Sequence, residues 1–356
     1  MSETKIIPKH SMKSTWRTQE RRQWGLAHWF FDVLGVLPTS LDRHVPVHQK
    51  SEKTPYLSDW QLHRWAMFHT AIPLIVHQLY AQYAGTNLSK PQAALFYGSA
   101  MLLTSIRELH VLREMGHRHG FLDGDTHERD GVPDGGVWKV IVSLLSTVSF
   151  RTLLFVLLAY RTAETPADVN WPWLPFEVGL YAIVLDFWFY WYHRLMHEMP
   201  GLWRFHRTHH LTKHPNPLLT LYADAVQEVL DIVGMPLLTY SSMKLAGMPM
   251  GFYELWISGA YVVFTELMGH SGLRVCGSTP NMFNSILRLV GAELTIEDHD
   301  LHHRKGWRVS GNYGKQTFLW DRIFGTCKDR METRPANVDY ANRITMPIFI
   351  TKTTAA

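Results

Sequence analysis

The chain has 356 residues, 19% of them charged and 13% aromatic, with a formal net charge of +4. That length admits one large domain or two ordinary ones, and so small a charge, with no basic patch interleaved with exposed aromatics, excludes a nucleic-acid binder. Two cysteines, Cys276 and Cys327, exclude a disulfide framework, and without a C-x-x-C they point to a reducing compartment.

The leader "MSETKIIPKHSMKSTWRTQERR" has no apolar run and no small-residue cleavage site, so it does not read as a secretory signal. Lys5, Lys9, Lys13, Arg17, Arg21 and Arg22 stand against Glu3 and Glu20 ahead of the first apolar segment, which predicts a cytosolic N-terminus. Segments at 65–85, 93–106, 140–160 and 178–192 are apolar, the last two interrupted by Arg151 and Asp186. A spanning helix needs roughly 20 apolar residues, and several of these are marginal. The number of segments, with Trp and Tyr at their ends as in "WPWLPF" (171–176), favours a polytopic membrane bundle over the buried core of a soluble all-α protein. Between them "GHRHGFLDGDTHERDGVPDGG" (116–136) reads as a loop, with His117, His119 and His127 as loop residues. A further apolar pair, 229–247 and 252–268, carries Asp231, Lys244 and Glu266 and is re-entrant, interfacial or buried. No stretch alternates long enough to predict a sheet, so the expected fold is all-α. The expected division is an N-terminal cytosolic region (1–64), membrane helices and loop (65–175), a histidine-rich unit (176–330) and a tail (331–356).

That unit holds the chemistry. "DFWFYWYHRLMHEMPGLWRFHRTHH" (186–210) runs an apolar helix into His193 and His197, which share a helix face at i, i+4. His206, His209 and His210 follow in H-x-x-H-H spacing, repeated as His299, His302 and His303, and each trio is expected on one helical side. Neutral imidazole ligates iron, zinc and copper. Eight histidines exceed the four ligands of one zinc and suit two metals of four or five ligands each. "HEMPG" (197–201) lacks the second histidine of a zinc protease. Asp186, two turns before His193, is either an acceptor that orients a ligand imidazole or a helix–helix polar contact. Glu266, four residues before His270, is a similar candidate. No dinucleotide or fused haem signature is present, so electrons must come from a separate donor.

"YHRLMH", "HRTHH", "HDLHH" and the ending "NYGKQTFLWDRIFGT" (312–326) resemble the fatty acid hydroxylase/sterol desaturase superfamily over about residues 178–327. The resemblance implies a multi-pass endoplasmic-reticulum helical bundle whose cytosolic cap holds a non-haem di-iron centre. There dioxygen hydroxylates or desaturates a C–H bond of a sterol, fatty acyl chain, terpenoid or other hydrophobic substrate, with a cytochrome b5/reductase-type electron donor. It also implies His270 in "GHSG" as a further ligand, and Asp224 in "ADAVQE" where the sterol-type branch has a histidine. His214 in "KHPNP" competes for that place but reads as a loop residue, because Pro215 and Pro217 break the helix there. The alternative class is a non-catalytic metal- or lipid-binding membrane protein.

Overall fold

The computed structural model describes residues 11–349, so Glu3, Lys5 and Lys9 of the positive leader and the last residues of the tail lie outside it. Helices dominate: α1 (Leu26–Leu34), α2 (Asp59–Ala84), α3 (Lys90–His119), α4 (Val137–Ala159), α5 (Leu174–Glu198), α6 (Pro200–His206), α7 (Ala225–Val229), α8 (Met235–Leu245), α9 (Phe252–Gly269), α10 (Asn284–Leu289), α11 (Ile296–Lys305) and α12 (Leu319–Phe324). The all-α expectation needs one correction. β1 (Thr54–Leu57) pairs in parallel with β2 (Cys276–Gly277) and β3 (Val338–Ile344), in the order β2-β1-β3. β1 and β2 are too short for alternation to show in the sequence, β3 has seven residues whose burial does not alternate, and the three tie distant segments together.

α9 is the axis of the bundle. Every residue from Phe252 to Met268 is buried, against α2, α3, α4, α5 and α11. Gly259 permits the closest approach, because a Cβ there would fall inside the Phe155 ring of α4. The 252–268 segment is therefore interior. The 229–247 segment is α8 entered through a π turn, Leu230–Gly234, that buries Asp231.

Four or more spanning segments were expected. Among the described residues only α4 is long and apolar enough to cross a membrane by length and composition. α2, α3 and α5 have the length, but polar side chains dilute their apolar runs. His117 and His119 also lie in the last turn of α3 rather than in a loop. His117 accepts from Ser40 N at 2.9 Å and donates to His44 O at 3.0 Å, fastening the N-terminal segment to the helix.

α11 shows how the sequence builds the site. Thr295 and Asp298 form a capping box at its start, and Gly306, at φ 65°, ends it. Its acids face away from the histidines. Glu297 accepts from Met331, Glu332 and Thr333 N, Asp298 pairs with Arg330, and Asp300 pairs with Arg129 and Arg304.

Candidate metal centre

The end of α5 brings His193 and His197, α6 brings His206, and the short turn His209–Leu211 brings His209 and His210. His299, His302 and His303 come from α11, and His270 directly follows α9. All nine are buried. They form two groups, His193, His197, His206, His210 and His302 in one, His209, His270, His299 and His303 in the other, with the nitrogens of each group within 4.8 Å of one another.

The expectation that each H-x-x-H-H trio stays on one side is thus corrected. Successive helical residues point about 100° apart, so the neighbours His302 and His303 serve different groups. His209 and His210 do the same. The groups abut, with the His210 and His303 rings 4.9 Å apart.

Hydrogen bonds fix the tautomers. Nδ1 of His193, His197, His302, His303 and His270 each meets a main-chain oxygen: Tyr313 at 2.7 Å, Trp307 at 2.7 Å, Gly311 at 2.7 Å, Thr212 at 2.9 Å and Glu266 at 2.8 Å. A carbonyl only accepts, so each Nδ1 carries the proton and each Nε2 of the neutral ring presents a lone pair. His206 Nδ1 meets Gln227 Oε1 at 2.9 Å. Nε2 of His193 then faces Nε2 of His206 at 2.9 Å, that of His302 faces His210 at 3.0 Å, and that of His270 faces His299 at 3.0 Å. In the first pair both Nδ1 protons are spent outward, so two lone pairs meet without a proton between them. Such an arrangement repels unless a cation lies between. Burial pushes His206 down to about 4 and His302 to about 3. Burial first and neighbouring imidazoles next hold His209, His210, His299 and His303 well below the ordinary histidine value. A set of neutral, dry donors with lone pairs converging is what a transition-metal ion requires.

The remaining expected residues lie elsewhere. Asp224 joins neither group: it is the N-cap of α7, its Oδ1 accepting from Val226 N at 3.0 Å. Its expected place beside the imidazoles is taken one turn later by Gln227. Asp186 does not touch His193. Its carboxylate accepts from Lys315, Gln316 and Thr317 N and from the Thr317 hydroxyl at 2.7–3.1 Å. It thereby holds the turn after Tyr313, whose carbonyl orients His193. Glu266 reaches His270 through its main-chain oxygen, while its carboxylate pairs with Arg151 and Lys315, each at 2.9 Å. Gln227 and Lys315 went unnoticed in the sequence, and Arg151 was visible only as a charge interrupting the 140–160 segment. The one positional signal was at Gln227, a polar residue one turn after Asp224.

A third cluster, Asp123, His127 and His214, is of another kind. Asp123 pairs with Lys50 and Arg304, and its other oxygen meets His214 Nε2 at 3.0 Å. Asp123 and His214 are already engaged and His127 is exposed, and the cluster fastens the loop after α3 to the segment after the second histidine box.

Fold and site together define a helical protein built around two buried histidine sets suited to metal ions. The fatty acid hydroxylase profile matches residues 178–326. The fatty acid hydroxylase vlmA of a Lecanicillium species is 43% identical over 316 residues, covering 85% of this chain and 86% of that protein. Human (Homo sapiens) alkylglycerol monooxygenase is 27% identical over 52% of this chain and 38% of its own length. The very-long-chain aldehyde decarbonylase GL1-8 of Oryza sativa subsp. indica is 30% identical over 56% of this chain and 68% of its own. No solved structure matches. The chain belongs to the fatty acid hydroxylase family. It is accordingly an oxidoreductase, and the non-catalytic alternative falls away.

Proposed function

We propose that the two histidine groups hold two iron ions and that the chain is an oxygen-dependent membrane hydroxylase acting on a C–H bond of a hydrocarbon chain, within a di-iron unit of about residues 176–330. The observation that carries this is the pair of facing Nε2 lone pairs of His193 and His206, at 2.9 Å, whose Nδ1 protons are spent on Tyr313 O and Gln227 Oε1. Bound there, a pair of iron ions supplies the reduction of dioxygen and the removal of a hydrogen atom from the substrate. The chain's own residues do the rest. Main-chain carbonyls and Gln227 set the tautomer and angle of six of the nine imidazoles, and the buried walls keep water out. His270, His299 and Lys315 line a small cavity of about 20 Å³ beside the second group. Hydroxylation is preferred to desaturation because the relative that covers most of the chain is named a hydroxylase.

Exposed apolar side chains support several membrane helices. Ile72, Ile75, Val76 and Leu79 on α2, Leu95 and Leu103 on α3, and Val142, Phe150, Leu153 and Leu157 on α4 face outward. We place the protein in the endoplasmic-reticulum membrane with the histidine boxes cytosolic, fed by a cytochrome b5-type donor. The test is metal analysis of the purified chain, followed by turnover with reductant under ¹⁸O₂. About two irons per chain and one labelled oxygen in a lipid product are expected. Zinc in place of iron, or no dioxygen consumed, would overturn the reading.

A further inference from the structure

Among the described residues, three aromatic rings other than imidazole pack against the histidines: Phe189, Tyr313 and Trp203. Phe189 and Tyr313 are buried, whereas Trp203 is half-buried. The Trp203 ring lies 5.2 Å from that of His197 and 5.5 Å from that of His210, and 5.7 Å from that of Trp307 with the planes 23° apart. Trp307 is exposed, and its main-chain oxygen accepts from His197 Nδ1 at 2.7 Å. One surface residue thus reaches the first histidine group twice, by a hydrogen bond and by a stacked indole. The rings against the second group are all imidazoles. Trp307 also sits at φ 30°, a left-handed conformation costly for so large a side chain, entered through Gly306 at φ 65°. The turn sends the carbonyl to His197 and leaves the ring at the surface.

The surface around this pair of indoles is positive. The Arg308 guanidinium lies over the Trp307 ring, 4.7 Å from its centre. Arg207 follows Trp203 at i+4, and Lys213 crosses Gly306, the residue after Lys305. All four cations are exposed. Among the described residues none of them has a carboxylate partner. Of the acids in this region, Glu198 is taken by Arg194 at 2.8 Å, and Asp130 accepts from His214 N at 2.8 Å. Water satisfies lone surface cations, so their stability requires no partner. Their gathering around an exposed apolar centre, Trp307 with Val309 and Met199, is what points to one. An aromatic and apolar centre with a rim of one charge is the anatomy of a docking face, and the rim steers a protein of opposite charge onto it.

We propose that Trp307 and the cations around it are the docking face for an acidic one-electron carrier protein, and that electrons enter the first histidine group there, through Trp307 and Trp203. This rests on the oxygenase reading and adds to it where the donor binds and which group receives the electrons. Each encounter oxidises the carrier by one electron and reduces one ferric ion to ferrous; no bond forms or breaks. Two encounters, with two protons from solvent, supply what turns one atom of dioxygen into water while the other enters the product.

The test is binding of the reduced, soluble haem domain of an acidic cytochrome b5 to the full chain in neutral detergent, followed by stopped-flow oxidation of the haem. Arg207→Glu with Arg308→Glu should weaken binding at least about tenfold at low salt and flatten its dependence on ionic strength. Arg207→Lys with Arg308→Lys should keep both the affinity and its salt dependence. Trp307→Leu keeps the main-chain oxygen on His197 and should slow haem oxidation severalfold at saturating cytochrome, with iron content unchanged. Unchanged affinity in the charge-reversed variant, or haem oxidation at the wild-type rate in Trp307→Leu, would overturn the proposal. So would a charge reversal that lowers retention on phosphatidylserine vesicles and leaves cytochrome binding as it was, since the cations then serve a lipid headgroup. Binding is read without turnover, so a chain that takes the cytochrome on this face and oxidises no lipid sinks only the oxygenase reading. One that turns over with dithionite and binds the cytochrome equally with or without these charges sinks only this one.

Discussion

The two histidine groups differ in how firmly they are held. In the first, four of five imidazoles have Nδ1 bonded, His193, His197 and His302 to main-chain carbonyls and His206 to Gln227. In the second, His270 and His303 are so held, while buried Nδ1 of His209 and His299 has no partner among the described residues. The second group also borders the small cavity that reaches Lys315 and Glu266. A centre fixed on most sides and a centre left looser toward a cavity suggest a division of labour: the first anchors, and the second faces the substrate.

The largest effect that tests this division comes from two adjacent residues. His302→Ala and His303→Ala should each abolish turnover, yet leave about one iron per chain, in different centres. Iron content and Mössbauer spectra read the outcome, and loss of both ions from either variant would show one coupled cluster instead of two unequal groups. A smaller effect is expected at Gln227. Gln227→Ala frees the His206 ring and should weaken iron at the first group by about 10- to 100-fold, with the second group's affinity unchanged in chelator competition. Equal weakening at both would erase the distinction. The smallest effect belongs to Asp224, whose carboxylate only caps α7. Asp224→Ala should cost about 1 kcal/mol of stability in thermal or denaturant unfolding and keep full iron. Lost iron would return Asp224 to the ligand set.

Much of the site was legible because ligand chemistry is written in residue type and local spacing. Imidazoles at i, i+4 must share a helix face, and the repeated H-x-x-H-H asks for metals wherever the helices go. The helical character followed from apolar runs, and the family from the boxes and the ending after them. The sequence could not say which neighbour serves which metal. Helix geometry points His302 and His303 apart, but which group each joins is set by how α11 is wedged against α9 and the turn at 209–211, a relation between segments far apart in the chain. The carbonyls that orient the rings carry no side-chain signature, since any residue at 212, 307, 311 or 313 offers the same oxygen. Asp186, Asp224 and Glu266 were visible as polar residues near the boxes. Whether a carboxylate meets an imidazole, caps a helix, holds a turn or pairs with Arg151 is decided by what packs against it, and burial makes each of those choices exclusive.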